Sequence, residues 1–205
     1  MNAVLLASGG LDSTTLAYWM ISQSIDFLPL FFDYGQHTAS KELQCLRAVL
    51  PRAIAERIES VELKSVYQGS PSRMIQEPDL WREKVKDEDL FLPYRNSLLL
   101  IYGAAYAETR GISSLYSGFI DSNRAIGSDS TTEFLKEMAK HFSAYGAVSL
   151  HTPFSGMTKA AVAKIGISLK APIAETYSCL ASAEVACGAC PNCVDRRLAF
   201  EALGL

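Results

Sequence analysis

Ala3-Val4-Leu5-Leu6-Ala7-Ser8-Gly9-Gly10-Leu11-Asp12-Ser13-Thr14-Thr15 is the stretch that decides the fold. The apolar run 3–7 reads as a buried parallel strand, and 13–22 reads as a helix with Leu16, Ala17, Met20 and Ile21 on one face. The turn between them is built from glycine and hydroxyl residues. Two adjacent glycines have no Cβ, so backbone N–H groups can close around an anion. Ser8, Ser13, Thr14 and Thr15 add hydroxyl donors, and the following helix directs its positive dipole end at the same point. A phosphate cradle is therefore expected at residue 8. The competing reading is a plain capped strand-to-helix turn, with Asp12 or Ser13 as the N-cap. Neither G-x-x-x-x-G-K-[ST] nor G-x-G-x-x-G occurs in the chain, which excludes the commoner nucleotide loops.

Working outward, strands and helices alternate. Phe27 to Phe32 reads as a second strand ending at Asp33-Tyr34-Gly35-Gln36, and a helix is expected from about Ser40 to Leu50, stopped by Pro51. A third strand is expected over 57–63. Residues 65–90, rich in Pro, Ser, Asp and Glu, read either as a long loop over the active face or a subunit interface, or as a solvated excursion. An apolar helix follows over 97–109 with Gly111 as its C-cap, then a strand over 113–117. Thr131 or Thr132 can cap a helix to about Phe142, and a fifth strand covers 148–150. Two short helices, a cysteine loop and a last helix over about 194–203 complete the chain. The alternation predicts an α/β fold, a doubly wound parallel five-stranded sheet in a single domain over 1–205 with a C-terminal element at 176–205. Ligands of such sheets bind at the carboxyl ends of the strands, where 8–15, 33–37, 93–96 and 118–131 would converge.

Composition bounds the function. The 205 residues carry 19 Lys and Arg against 22 Asp and Glu, a net charge of −3, so no bulk electrostatic affinity for nucleic acid is expected. No secretory leader pattern and no apolar run of membrane-spanning length occurs, and a cytoplasmic protein is expected. Of five cysteines, Cys45 stands alone on an amphipathic helix and reads as core. Cys187, Cys190 and Cys193 follow one another at x2 spacing, and seven residues separate Cys179 from the first of them. Four thiolates suit the tetrahedral preference of Zn²⁺, and with no coordination position left open the metal would be structural. An iron–sulfur cluster and unliganded thiols are the alternatives. His37, His141 and His151 share no ligand spacing, Trp19 reads as core, and Trp81 reads as an interface anchor.

The string Ser8-Gly9-Gly10-x-Asp12-Ser13 resembles the PP-loop of the ATP pyrophosphatase superfamily, whose members split ATP between the α and β phosphates. With Tyr34-Gly35-Gln36, Leu92-Pro93-Tyr94-Arg95-Asn96, Thr158-Lys159 and the four-cysteine C-terminus closing on Arg196-Arg197, the whole chain resembles the 7-cyano-7-deazaguanine synthase (QueC) family, as a diverged member. The resemblance implies adenylation of the carboxylate of 7-carboxy-7-deazaguanine and displacement of AMP by ammonia to give the amide. A second ATP then activates the amide for elimination to the nitrile. It implies ATP, Mg²⁺ bridging the phosphates and Asp12, structural Zn²⁺ on Cys179, Cys187, Cys190 and Cys193, and a homodimer. Carried onto this chain, ATP binding falls to Ser8, Gly9, Gly10, Leu11, Asp12, Ser13, Thr14 and Lys159, with Asp12, Arg95 and Lys159 as catalytic residues. Tyr34, Gln36, His37, Arg95, Asn96, Asp121, Asn123 and Asp129 are the implied substrate contacts.

The chain departs from the family pattern in three places, one of them the first interval of the cysteine cluster, which is one residue shorter than usual. The usual Tyr-Gly-Gln-Arg-His run is here Tyr34-Gly35-Gln36-His37-Thr38. In the segment that reads approximately Glu-x-Asp-x-Ser-Gly-Tyr-Pro-Asp-Cys-Arg in the family, the chain has Asp121, Asn123, Ala125, Gly127, Asp129 and Thr131 at the acid, acid, serine, tyrosine, aspartate and arginine places. An acid at that place can pair with a guanine-like N–H and exocyclic amine. The acyl acceptor stays open between ammonia and a protein amine, as in relatives of phage-defence operons that resemble N-terminus-modifying enzymes. Readings of other classes are a non-catalytic nucleotide sensor and a zinc-ribbon nucleic-acid module, the latter at odds with the acidic balance.

Overall fold

The computed structural model describes residues 1–120, 129–181 and 185–205. Strand β1 covers Ala3–Leu6 and is wholly buried, as an uninterrupted apolar run in the middle of a parallel sheet must be. Strands β2 (Phe27–Asp33), β3 (Glu59–Glu62), β4 (Ser114–Ser117) and β5 (Ser149–His151) join it in the order β3-β2-β1-β4-β5, every pairing parallel. The chain winds outward from β1 to β3, then crosses to the other side for β4 and β5. That reversal leaves a crevice between the carboxyl ends of β1 and β4, the place where open α/β sheets bind ligands.

Proline in an interior strand needs an explanation, and β2 contains Pro29. The Ala7 N–H donates to Leu30 O at 3.0 Å and the Asn2 N–H donates to Asp26 O, so even-numbered residues of β2 face β1. Pro29 therefore faces the other way, and β3 begins opposite Leu30, one residue beyond it. The missing donor falls where no neighbouring strand exists.

Helices cover both faces of the sheet. On one side α1 (Leu11–Ser22), α2 (Ala39–Val49) and α6 (Lys159–Ser168) pack Leu16, Met20, Leu46, Val162 and Ala163 against Leu5, Phe27 and Phe31. The opposite face holds α4 (Arg95–Glu108) and α5 (Thr132–Tyr145), whose Leu100, Ala104, Leu135 and Phe142 meet Val4, Leu6, Leu30 and Leu115. A one-turn helix α3 (Arg52–Ala55) leads into β3, and α7 (Pro191–Glu201) closes the chain.

The doubly wound fold expected from the sequence is thus observed, with boundaries moved. Helix α1 starts at Leu11, two residues early, with Gly10 as an N-cap that makes no side-chain hydrogen bond, so neither Asp12 nor Ser13 caps it. Helix α4 starts at Arg95, which puts Arg95 and Asn96 inside its first turn rather than in a preceding loop. The last helix starts at Pro191, a residue suited to the first helical position, where no N–H is required. The irregular stretch 65–90 contains a 3₁₀ turn at Asp87–Leu90 and packs Met74, Leu80 and Val85 against the rest of the chain. Trp19 packs against the core as expected, whereas Trp81 is 99% exposed.

Candidate active site

The phosphate loop runs from the end of β1 into α1. The Ser8 N–H donates to Ser13 Oγ at 3.2 Å, the Ser13 hydroxyl donates to Gly10 O at 3.3 Å, and the Gly10 N–H donates to Ser8 Oγ at 3.3 Å. These bonds hold the turn open and leave the N–H groups of the first turn of α1, which have no intrahelical acceptor, facing the crevice. Gly9 sits at φ +75, and a Cβ there would lie 2.7 Å from Glu42 O and 2.9 Å from Leu46 N. No other residue lets α2 approach the loop this closely. Gly118, just past β4, is crowded in the same way against the Asp12 backbone at 3.1 Å.

A cavity of about 350 Å³ opens above the loop. Ser8, Gly10, Leu11, Asp12 and Ser13 form its floor, and Lys159, Arg95, Asn96, Tyr34 and Gln36 contribute to its walls. Lys159, first residue of α6, reaches Asp195 Oδ2 at 2.7 Å and Asp12 Oδ2 at 3.6 Å. Burial pushes the Asp12 carboxyl above its ordinary range and outweighs the attraction of Lys159. Its Oδ1 is buried with no hydrogen-bond partner. A buried, orphaned carboxylate oxygen beside unsatisfied N–H groups fits a hard cation shared with phosphate oxygens. Arg95 lies with its guanidinium 6.0 Å from the Tyr34 ring, and burial raises the Tyr34 hydroxyl to about 12.

The C-terminal segment supplies the remaining wall. Tyr177, Ser178, Cys179, Leu180, Asn192 and Arg196 line the cavity. The Tyr177 N–H donates to Gly9 O at 3.1 Å, and the Cys45 thiol lies 3.4 Å from the same oxygen. Arg196 is fixed by the Ile173 and Ala174 carbonyls at 2.6 and 3.0 Å and by the Thr176 hydroxyl. Just outside this wall, the sulfurs of Cys179, Cys187, Cys190 and Cys193 lie within 4.8 Å of one another. The Cys187 and Cys193 sulfurs are 3.9 Å apart, close to the edge of about 3.8 Å that a tetrahedron with 2.3 Å bonds requires. Backbone N–H groups of Ala181 and Cys187 point at the Cys179 sulfur at 3.3 Å, and that of Cys190 points at Cys187 at 3.3 Å, an arrangement that suits thiolate ligands. Among the described residues this is the one cluster of His, Cys, Asp and Glu able to hold a metal ion.

Comparison with known proteins now adds to this geometry. The family model described as Queuosine biosynthesis protein QueC matches residues 2–204. The chain belongs to the QueC family. A 7-cyano-7-deazaguanine synthase of Methanospirillum hungatei JF-1 is 33% identical over 215 residues, covering 100% of this chain and 97% of that protein. One from Clostridium kluyveri is 34% identical, covering 99% of this chain and 94% of the relative. Among solved structures, a 4-thiouridine synthetase–RNA complex with bound ATP aligns with a TM-score of 0.55 at 18% identity over 98% of this chain, which spans 50% of that one. NMN synthetase from Francisella tularensis aligns with a TM-score of 0.50 at 14% identity, covering 99% of this chain and 77% of its own. These two likenesses concern the fold alone.

Not every residue expected from the QueC pattern reaches the cavity. Thr14 is fully buried beneath the loop and Gly9 packs against α2, so neither forms part of the wall. Gln36 lines the cavity, but its amide serves the turn: its Oε1 accepts from the Tyr34 N–H, and its Nε2 donates to Phe32 O and Glu42 Oε2. His37 turns away toward the Arg73 carbonyl at 3.2 Å. Asp129 is likewise not a lining residue. Its Oδ2 accepts the Asn96 and Ser97 N–H groups at 2.8 and 3.3 Å, and its carbonyl accepts the Asn96 side-chain amide, so the carboxylate caps α4. Asp121, Asn123, Ala125 and Gly127 lie outside the described residues.

Sequence reasoning missed Glu42, Tyr177, Asn192 and a cavity role for Arg196. Glu42 could have been found as an acid in the first turn of a helix that leaves the carboxyl end of a central strand. Tyr177 has no local signal, because its partner at Gly9 is distant in sequence.

Proposed function

We propose that the chain uses ATP to activate the carboxylate of a 7-deazaguanine acid and converts it, through the amide, to the nitrile. The observation that carries this reading is one cavity lined by the phosphate loop, Asp12, Lys159 and Arg95, in a chain matched by the QueC model over 2–204. A carboxylate oxygen attacks the α-phosphorus of ATP and pyrophosphate leaves. Ammonia then adds to the acyl carbon and AMP departs, giving the amide. A second ATP adenylates the amide oxygen, and loss of AMP with a proton from nitrogen leaves the nitrile.

The chain's own groups serve position and charge rather than nucleophilic attack. First-turn N–H groups of α1 and the Ser8 and Ser13 hydroxyls hold the phosphates. Lys159, held between Asp12 and Asp195, faces the charge that builds on the departing pyrophosphate. Arg95, anchored by its Nε on Asn96 Oδ1, holds the acyl or phosphoryl oxygens from the opposite wall. Asp12 would hold Mg²⁺, which neutralises phosphate charge when bound. Cys179, Cys187, Cys190 and Cys193 would hold Zn²⁺ as a closed structural site.

Incubation with ATP, Mg²⁺, ammonium and 7-carboxy-7-deazaguanine should release pyrophosphate and AMP, with the free nitrile identified by mass spectrometry. Lys159→Ala should lower kcat by about a hundredfold or more, the effect of removing one preorganised charge donor. Nucleotide binding without pyrophosphate release would point to a sensor. A mass increment on a partner protein, with no nitrile, would point to a protein amine as the acceptor.

A further inference from the structure

One acidic residue on the cavity wall has no role in the reaction described above. The acidic lining residues, among those described, are two: Asp12 on the phosphate loop and Glu42 on α2. Glu42 is anchored on both oxygens. The Thr38 hydroxyl donates to Oε1 at 2.6 Å, and Gln36 Nε2 donates to Oε2 at 3.1 Å. Gln36 is in turn fixed by Phe32 O and the Tyr34 N–H, and both Gln36 and Thr38 are 3% exposed. A carboxylate oxygen has two lone pairs, so each oxygen keeps one acceptor position after these bonds. The result is a rigid, paired acceptor on a cavity wall. Arg95 also lines the cavity, and no ion pair joins it to Glu42 among the described residues. Among the described residues, two other carboxylates of this region have different duties. Asp129 caps α4, and Asp33 takes the Gly35 N–H at 3.0 Å and Lys64 at 3.0 Å; neither lines the cavity.

We propose that Glu42, braced by Gln36 and Thr38, is the specificity residue that reads the adjacent ring N–H and exocyclic amine of the deazaguanine. Two parallel N–H···O bonds to one carboxylate match that edge, and a ring without the amine leaves one buried acceptor unpaired. This inference rests on the deazaguanine reading given above, and it moves base recognition from Asp129 to α2.

The test compares 7-carboxy-7-deazaguanine with its analogue lacking the 2-amino group, using full-length protein with Mg²⁺ and measuring pyrophosphate release. The wild type should prefer the amino compound in kcat/KM by about ten- to a hundredfold, the range for a hydrogen bond to a charged group. Glu42→Gln should raise KM for the amino compound by a similar factor and erase the preference. The Kd for a non-hydrolysable ATP analogue should stay within about twofold. Glu42→Asp, with a shortened but intact carboxylate, should restore part of the preference, and thermal melts establish that both variants fold. Retention of the preference by Glu42→Gln, or a parallel loss of ATP-analogue binding, overturns the assignment while leaving the activity reading standing. No turnover of either compound by the wild type overturns both.

Discussion

Asp12 shows how a single side chain can be unfavourable for the fold and required by the site. Its carboxyl is held above the ordinary 3.8 because desolvation exceeds the attraction of Lys159, and one of its oxygens has no partner. An acid whose folded-state pKa is raised binds more protons folded than unfolded between 3.8 and the raised value. Its contribution to stability therefore falls as pH climbs through that window, and the full penalty is present above it. Asp12→Asn should accordingly stabilise the ligand-free protein at pH 8 by about 2–4 °C in Tm, the shift that about 1 kcal/mol produces at this chain size. That advantage should vanish in melts recorded below the ordinary carboxyl range, where the charge is absent from both states. Lys159 keeps Asp195 in the variant, so the loop loses no cation partner altogether. Turnover should nevertheless drop by about a hundredfold or more in a pyrophosphate assay. An Asn that leaves Tm at pH 8 unchanged or lower would show that Asp12 is better satisfied than its geometry indicates.

Helix α4 places Arg95 and Asn96 on the cavity wall, and its N-terminus depends on a residue outside the helix. Asp129 accepts two of its first-turn N–H groups, while Tyr94, the N-cap, adopts φ 56 and makes no side-chain cap bond. Asp129→Ala should therefore cost about 1 kcal/mol, seen as a Tm lower by about 2–4 °C. Because the same turn carries Arg95, the variant should also raise KM for the acid more than for ATP. This element shows where the sequence could and could not be read. The apolar periodicity of 97–109 announced a helix, and Gly111, at φ +68, marks its end as expected. Its start at Arg95 escapes the apolar pattern because the capping group comes from Asp129, far along the chain, and no local pattern reports it. The strand–glycine–helix turn is legible because its parts are consecutive, although the helix begins at Leu11 and neither Asp12 nor Ser13 caps it. The four-cysteine cluster is legible because three of its thiols repeat at short spacing. Glu42 carries only the weaker signal of an acid in the first turn after a central strand, because its bonds with Gln36 and Thr38 are not encoded in hydrophobic pattern.

At the scale of the whole molecule, the cysteine cluster and the phosphate loop form one body. Cys179, Cys190 and Cys193 share a buried apolar cluster with Cys45, Val49, Tyr177 and Leu180, and Tyr177 is bonded to the loop at Gly9. Metal removal should therefore do more than loosen a surface hairpin. Treatment with a strong chelator should lower Tm and weaken ATP-analogue binding together, measured by melting and calorimetry, with both restored by added Zn²⁺. Full nucleotide affinity in a chelated, folded protein would show that the two are independent. The same junction has a consequence for how the molecule is made. The loop over 8–13 leaves the ribosome well before Tyr177, Leu180, Asn192 and Arg196, which complete the chamber above it. A growing polypeptide thus carries that turn through the synthesis of β2 to α6 without the wall that encloses it, and the chamber closes only once Arg196 has been made.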